Sequence, residues 1–225
     1  MEESEDALAI IGRQCPLGVH LVRQFPESKR RRQLEAFIRA RYAHYYGARI
    51  VHFMPCLMGF EDAEGNAQAA AGLRAATPTV NLFLERYLNA PVEEVLGAEI
   101  GAVVERREII EVGNFASFGP GGARMLIAAL TDLLSGLGYH WVAFTGTPML
   151  LNSFQRLGLP LIFLGEADPA CMGAELVDWG SYYDTRPQVA ATSVAACHQR
   201  LLAAGVYRLL GYQPLHREVP HAHCG

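Results

Sequence analysis

Between Arg107 and Ser135 the chain passes from a strand through a glycine turn straight into a helix. The stretch Arg107 to Phe115 reads as a strand in which Glu111 stands alone among apolar neighbours. Ser117-Phe118-Gly119-Pro120-Gly121-Gly122 follows with turn composition. From about Gly122 to Ser135, Ala123, Leu126, Ile127, Leu130 and Leu134 fall on one helical stripe, which Gly136 and Gly138 end. A helix that starts where a strand stops has unpaired N–H groups at its N-terminus, and an anion is favoured there. The GKS or GKT ending of a P-loop is absent, as is the GxGxxG dinucleotide fingerprint, so the phosphate site expected belongs to neither class.

The flanking pattern completes a mixed sheet. Residues 1–16 are acidic and then turn-like, and read as a loose arm. Gly18 to Arg23 alternates as a first strand, broken by Pro26. Ser28 then caps a helix whose buried face is Leu34, Phe37, Ile38, Tyr42 and Tyr45 and whose stop is Gly47. Residues 50–60 and 67–75 suggest an antiparallel pair about the turn Asp62 to Asn66. Leu82 to Leu88 and Pro91 to Leu96 suit short helices. His140 to Phe144 is apolar enough for a strand buried on both faces, and Thr147 caps a helix that Pro148 opens and Gly158 closes. A strand over residues 159–164 and a terminal helix over residues 190–210 follow. The class is α/β (α+β), a mixed central sheet with helices on both faces. The expected organisation is one core over residues 17–165, with a C-terminal helical extension over 166–225 packed on it and a disordered tail.

Charge and composition narrow the function. A net charge of −4 provides no field that would gather nucleic acid. The acidic start Met1-Glu2-Glu3 is the reverse of a secretory signal, and no apolar run approaches the roughly 20 residues of a membrane span. Five cysteines without CxxC spacing point to a reducing, cytoplasmic setting, with Cys171 and Cys197 read as packing residues and not as nucleophiles. His216, His221, His223 and Cys224 sit among prolines at the chain end and read as tail, so no metal is expected. Lys29 to Arg32 place positive charge at the positive end of a helix dipole, which costs local stability. The turn is either a solvated basic one, or Arg30, Arg31 and Arg32 dock an acidic partner such as an acyl carrier protein.

Phe118-Gly119-Pro120-Gly121-Gly122-Ala123 resembles the pyrophosphate turn of the GNAT acyltransferases, matching at Gly121 and Ala123, with Phe118 where that family has Gln or Arg. Downstream, Asn152 and Phe154-Gln155-Arg156-Leu157-Gly158-Leu159 look like the same family's Asn and Leu-Gly helix. Ala71-Gly72-Leu73-Arg74 with Glu111-Val112-Gly113-Asn114-Phe115 resembles the acyl-homoserine-lactone synthase branch, Asn114 standing where that branch has Arg. Over residues 18–200 the chain is similar to the thermostable hemolysin family, through Phe83-Leu84-Glu85-Arg86-Tyr87-Leu88, Glu111 to Asn114, and Trp179-Gly180-Ser181-Tyr182-Tyr183-Asp184.

These resemblances imply transfer of an acyl group from a pantetheine thioester, on coenzyme A or an acyl carrier protein, to a small amine by direct attack. They imply catalytic roles for Glu111, Gly113 and Asn114. Gly113 would permit a bulge whose amides stabilise the oxyanion, and Glu111 would take the amine's proton. An ion pair of Glu111 with Arg74 is the structural alternative. Donor contacts fall on Phe115, Ala116, Phe118, Gly119, Gly121, Gly122, Ala123, Arg124 and Asn152, and acceptor contacts on Arg74, Phe83 and Tyr182. The tyrosine that protonates the leaving thiolate in many GNAT enzymes is replaced by Phe154, leaving Tyr182, Tyr183 or a water for that step. The hemolysin name itself reports a lytic phenotype, so a lipid- or membrane-active effector without catalysis is the alternative function.

Overall fold

The computed structural model describes residues 7–215. Helix α1, Lys29–Tyr46, begins where the Ser28 hydroxyl accepts the Arg31 N–H at 3.1 Å and ends at Gly47, whose left-handed φ of 64° terminates the helix. Its stripe of Leu34, Phe37, Ile38 and Tyr42 is buried against one face of a sheet. Helix α2, Val92–Ile100, covers the same face through Val92 and Leu96. On the other face lie α3, Gly119–Gly136, α4, Pro148–Arg156, α5, Val194–Ala203, and α6, Val206–Leu210. Helices therefore sit on both faces.

The sheet has nine strands among the described residues: β1 Ala9–Ile11, β2 Leu17–Arg23, β3 Cys56–Glu61, β4 Ala67–Ala75, β5 Ile109–Ser117, β6 Trp141–Gly146, β7 Ile162–Glu166, β8 Gln188–Ser193 and β9 Gln213–Pro214. They run in the order β7-β8-β6-β5-β4-β3-β2-β1-β9. Only β5 and β6 pair in parallel, with α3 as the crossover between them.

The structure corrects three expectations. Ala9–Ile11 is not loose: it pairs with β2 and β9 and buries Ala9 and Ile11. Residues 50–54 are a loop because their polar backbone groups are taken by the side chains of Arg31 and Asn114 and not by a ladder. Residues 190–193 are strand where helix was expected. Val189, Ala190, Ala191 and Thr192 are buried in succession between β6 and β7, and that slot overrides the helix propensity of alanine. The Ser193 hydroxyl then accepts the Ala196 N–H and starts α5. The segment after residue 165 is thus part of the sheet, since β8 is one of its inner strands. The expected tail, with His216, His221, His223 and Cys224, lies outside the described residues.

Candidate active site

The site is built on a bulge in β5. Gly72 of β4 pairs with Gly113 and Ala70 with Ala116, so Ala71 alone stands opposite Asn114 and Phe115. The extra residue resets the alternation: Ile109 and Ala116, an odd number of positions apart, both face α1. The sequence placed the bulge at Gly113, but the left-handed residue is Asn114, with φ 47°, a conformation asparagine tolerates better than other side chains. Asn114 Oδ1 accepts the Met54 N–H at 3.0 Å and its Nδ2 donates to the His52 carbonyl, which stitches the 50–54 loop to the bulge. Gly113 instead provides clearance, because a Cβ there would lie 2.5 Å from Met54 Cε.

Just beyond this point the sheet opens. The β5–β6 ladder joins residues 109–112 to residues 141–144 and stops, although both strands continue. A cavity of about 150 Å³ occupies the splay. Its α1 side is walled by Tyr42, Phe83, Trp179 and Tyr182, and its α3 side by Ile127, Leu130, Phe144 and Phe154. The aromatic wall is continuous: Tyr42 stacks on Tyr182 with centroids 6.2 Å apart, and Trp179 meets Phe83 at 5.8 Å. Phe154 stacks on Phe144 at 5.0 Å, closing the apolar arm.

Glu111 lines this cavity, yet only 2% of it is exposed to solvent. Its carboxylate accepts the N–H groups of Phe83 and Leu84, both at 2.9 Å, at the start of a 3-10 helix over Phe83–Tyr87. Burial pushes the carboxyl above the usual carboxylate range, while those two amides and the charge of Arg74 oppose the rise. Arg74 is the cross-strand partner of Glu111 on β4 and acts through its field. The 3-10 helix is itself pinned by Glu85, which accepts the Leu82 and Val92 N–H groups and pairs with Arg106 at 2.6 Å. Sequence reading missed this brace, because its members lie 21 residues apart with no local pattern linking them.

At the opening of α3, Phe118 occupies the N-cap and Gly119 has a left-handed φ of 65°. A Cβ added at Gly119 or Gly121 would meet no atom within 4 Å, so the approach to these amides is open, whereas Gly122 is backed by the Ser117 side chain. Ala123 is half-buried and Arg124 exposed in the same turn, and Ala116 is buried just before it. Phe118 is not bare: the Arg41 guanidinium of α1 lies over its ring, 4.5 Å from the centroid, and Arg41 Nε is buried without a hydrogen-bond partner among the described residues. A cation thus stands beside the turn although the motif itself lacks one. Arg41 does not stand out in the sequence, although it shares the face of α1 that carries Phe37 and Ile38, because a charged residue on an apolar stripe does not reveal what it packs against.

Of the residues expected here, Glu111, Gly113, Asn114, Phe115, Arg74, Phe83 and Tyr182 all line the cavity. Phe118, Gly119, Gly121, Gly122, Ala123 and Arg124 form the separate turn at the α3 N-terminus. Asn152 joins neither set and is exposed on α4. The basic patch is also corrected. Arg31 is 1% exposed and donates to the carbonyls of Met54 and Pro55, and Arg30 pairs with Glu61 at 2.9 Å, which leaves Arg32 outermost. Cys197 is buried beside Thr192, whereas Cys171 is exposed and not packed as expected. Among the described residues no group of three or more metal-ligating side chains occurs, and no helix is long and apolar enough to cross a membrane.

A family model described as thermostable hemolysin matches residues 25–198. No curated protein sequence matches. Among solved structures the chain is similar to the acyl-homoserine-lactone synthase LasI, with a TM-score of 0.57 and 14% identity over 84% of this chain and 96% of that one. It is similar to BjaI, a CoA-dependent acyl-homoserine lactone synthase solved with SAM and isopentyl-CoA, with a TM-score of 0.58 and 14% identity over 92% and 96%. FeeM, an N-acyl amino acid synthase from uncultured soil microbes, gives a TM-score of 0.55 and 14% identity over 84% and 97%. At such identities the likeness is one of fold, and that fold is shared with acyl-homoserine-lactone synthases and an N-acyl amino acid synthase.

Proposed function

The chain belongs to the thermostable hemolysin family, and we propose that it is an acyltransferase moving an acyl group from a pantetheine thioester to a small amine by direct attack. The observation that carries this reading is the cavity between β5 and β6, which brings a buried carboxylate, a bulged strand and an apolar arm together at one point.

The donor's phosphates would meet the unpaired amides of Gly119 and Gly121, with Gly122 and Ala123 completing the turn behind them and Arg41 and Arg124 as the nearby cations. Beyond Val112 the edge of β5 facing β6 has no strand partner, so the backbone there, at the Phe115 carbonyl and at Ala116, would meet the pantetheine amides. The acyl group would lie in the arm under α3, against Leu130, Phe144 and Phe154. The amine enters from the aromatic side, past Arg74, Phe83 and Tyr182. Glu111 receives its proton directly or through a water, a role suited to a carboxylate raised by burial. Coenzyme A or an acyl carrier protein would serve as the carrier, and a reaction that draws on either would belong to the cytoplasm. With Arg31 turned inward and Arg30 paired with Glu61, carrier-protein docking at the start of α1 would fall to Lys29 and Arg32.

The test is incubation of the purified protein with acyl-CoA thioesters of graded length and a panel of amines, following free thiol and acylated product by mass spectrometry. Thiol release matched by an acylated amine is expected. Absence of any product, together with liposome leakage that persists in Glu111→Ala, would replace this reading with the lytic one.

A further inference from the structure

Resting on the acyl-transfer reading, we propose that Tyr42 of α1 is the catalytic residue that protonates the departing thiolate. The position on α4 from which such a proton could come is Phe154, whose ring is stacked on Phe144 and carries no hydroxyl. Of the tyrosines near the cavity, Tyr183 is committed to a hydroxyl–hydroxyl hydrogen bond with Tyr87. Tyr182 supports the Tyr42 ring by stacking on it.

Tyr42 meets three requirements at once. It lines the cavity alongside Gly113, Asn114 and Phe115, with 8% of its surface exposed. The Phe115 N–H, displaced from the ladder by the bulge, acts on its hydroxyl oxygen. The oxygen's own proton is therefore available to a third atom, next to the amides that would hold the oxyanion. Burial, reinforced by Tyr46 and Tyr183, raises the phenol above its ordinary value and weakens it as an acid, while the Phe115 N–H opposes that rise and favours the phenolate left when the proton departs. Thr145 also lines the cavity, with a buried Oγ1 that has no hydrogen-bond partner among the described residues. An aliphatic alcohol is too weak an acid to protonate a thiolate, so Thr145 is suited to holding the donor and Tyr42 to the proton.

The amine lone pair forms the C–N bond and its surplus proton passes to Glu111. The tetrahedral intermediate collapses, the C–S electron pair leaves on sulfur, and the Tyr42 proton moves to it to give the free thiol. Solvent water then restores the proton to Tyr42 and removes the one on Glu111.

The experiment compares wild type with Tyr42→Phe, which keeps the ring against Tyr182, on two thioesters of the same acid: an N-acetylcysteamine ester with a poor leaving thiol and a thiophenyl ester with a good one. Loss of a general acid predicts a fall in kcat of about 10²-fold or more on the first. On the second, which needs no proton to leave, the loss shrinks to less than about threefold. An equal loss on both esters, or none on either, overturns the proposal. If wild type releases thiol from neither ester and from no acyl-CoA, the acyl-transfer reading fails and this proposal with it. Replacement of Tyr42 by 3,5-difluorotyrosine guards against a folding defect. The phenols facing it are Tyr46 from α1 and Tyr182 and Tyr183 from the segment before β8. The alkaline limb of the kcat profile should move to lower pH with the more acidic phenol, and an unmoved limb overturns the assignment.

Discussion

Asn114 is where the backbone is most specialised, and replacing it separates two contributions. Asn114→Ala removes the acceptor of the Met54 N–H at 3.0 Å, and a stranded amide of this kind costs about 1–3 kcal/mol. It also forces an alanine into φ 47°, which costs about 1–2 kcal/mol more. The sum is about 3 kcal/mol. Asn114→Gly loses the same hydrogen bond but occupies that φ freely, paying only the extra freedom of the unfolded chain, about 0.5–1 kcal/mol. Glycine should therefore be the milder change, by about 1 kcal/mol on these terms. Urea unfolding of the three proteins, with slopes compared to check that the unfolded states match, measures this directly. If glycine destabilises as much as alanine or more, the bulge does not need the left-handed residue, and the argument for its geometry fails.

The Arg41 guanidinium beside Phe118 predicts that Arg41→Gln raises KM for acyl-CoA about tenfold while leaving KM for the matching acyl-pantetheine, which lacks the nucleotide, unchanged; equal effects on both donors would remove Arg41 from phosphate binding. With Glu111 held above the usual carboxylate range by burial, its basic form accumulates only as pH rises through that raised value. The rate should climb along that acid limb, and Glu111→Gln should abolish the limb together with most of the activity; a persisting limb would assign the base elsewhere. Phe154→Ala should lower stability by about 3–5 kcal/mol in chemical unfolding and shift preference toward longer acyl donors, and an unchanged chain-length profile would take the acyl group out of the arm under α3.

Local signals were legible in the sequence. The succession of β5, glycine turn and α3 could be read because an apolar run, a cluster of glycines and a helical stripe adjoin one another. Ser28 and Gly47 likewise marked the ends of α1. Strand β8 was hidden because Val189-Ala190-Ala191-Thr192 suits helix or strand by itself, and only the slot between β6 and β7 decides. Within the site, Glu111 stood out as an acid on an apolar strand, but what holds it did not. The Phe83 and Leu84 amides come from a segment 27 and 28 residues earlier and reach it only through the Glu85–Arg106 brace. Tyr42 lay on the buried stripe of α1 and was indistinguishable there from Leu34 or Ile38, which are core. Its closeness to the bulge follows from the tertiary packing of α1 on β5, which no local pattern encodes.

The account depends on the α3 N-terminus taking the donor's phosphates, and Gly121 offers a direct check. A Cβ added there would have no atom of the surrounding fold within 4 Å, so Gly121→Asp adds a carboxylate at the positive end of the helix into open space. Folding stability should rise by about 0.3–1 kcal/mol. The same carboxylate would occupy the anion's place, so calorimetric titration with coenzyme A should show saturable binding to wild type and none to Gly121→Asp. A wild type that does not bind coenzyme A, or a variant that binds it equally well, would contradict the account.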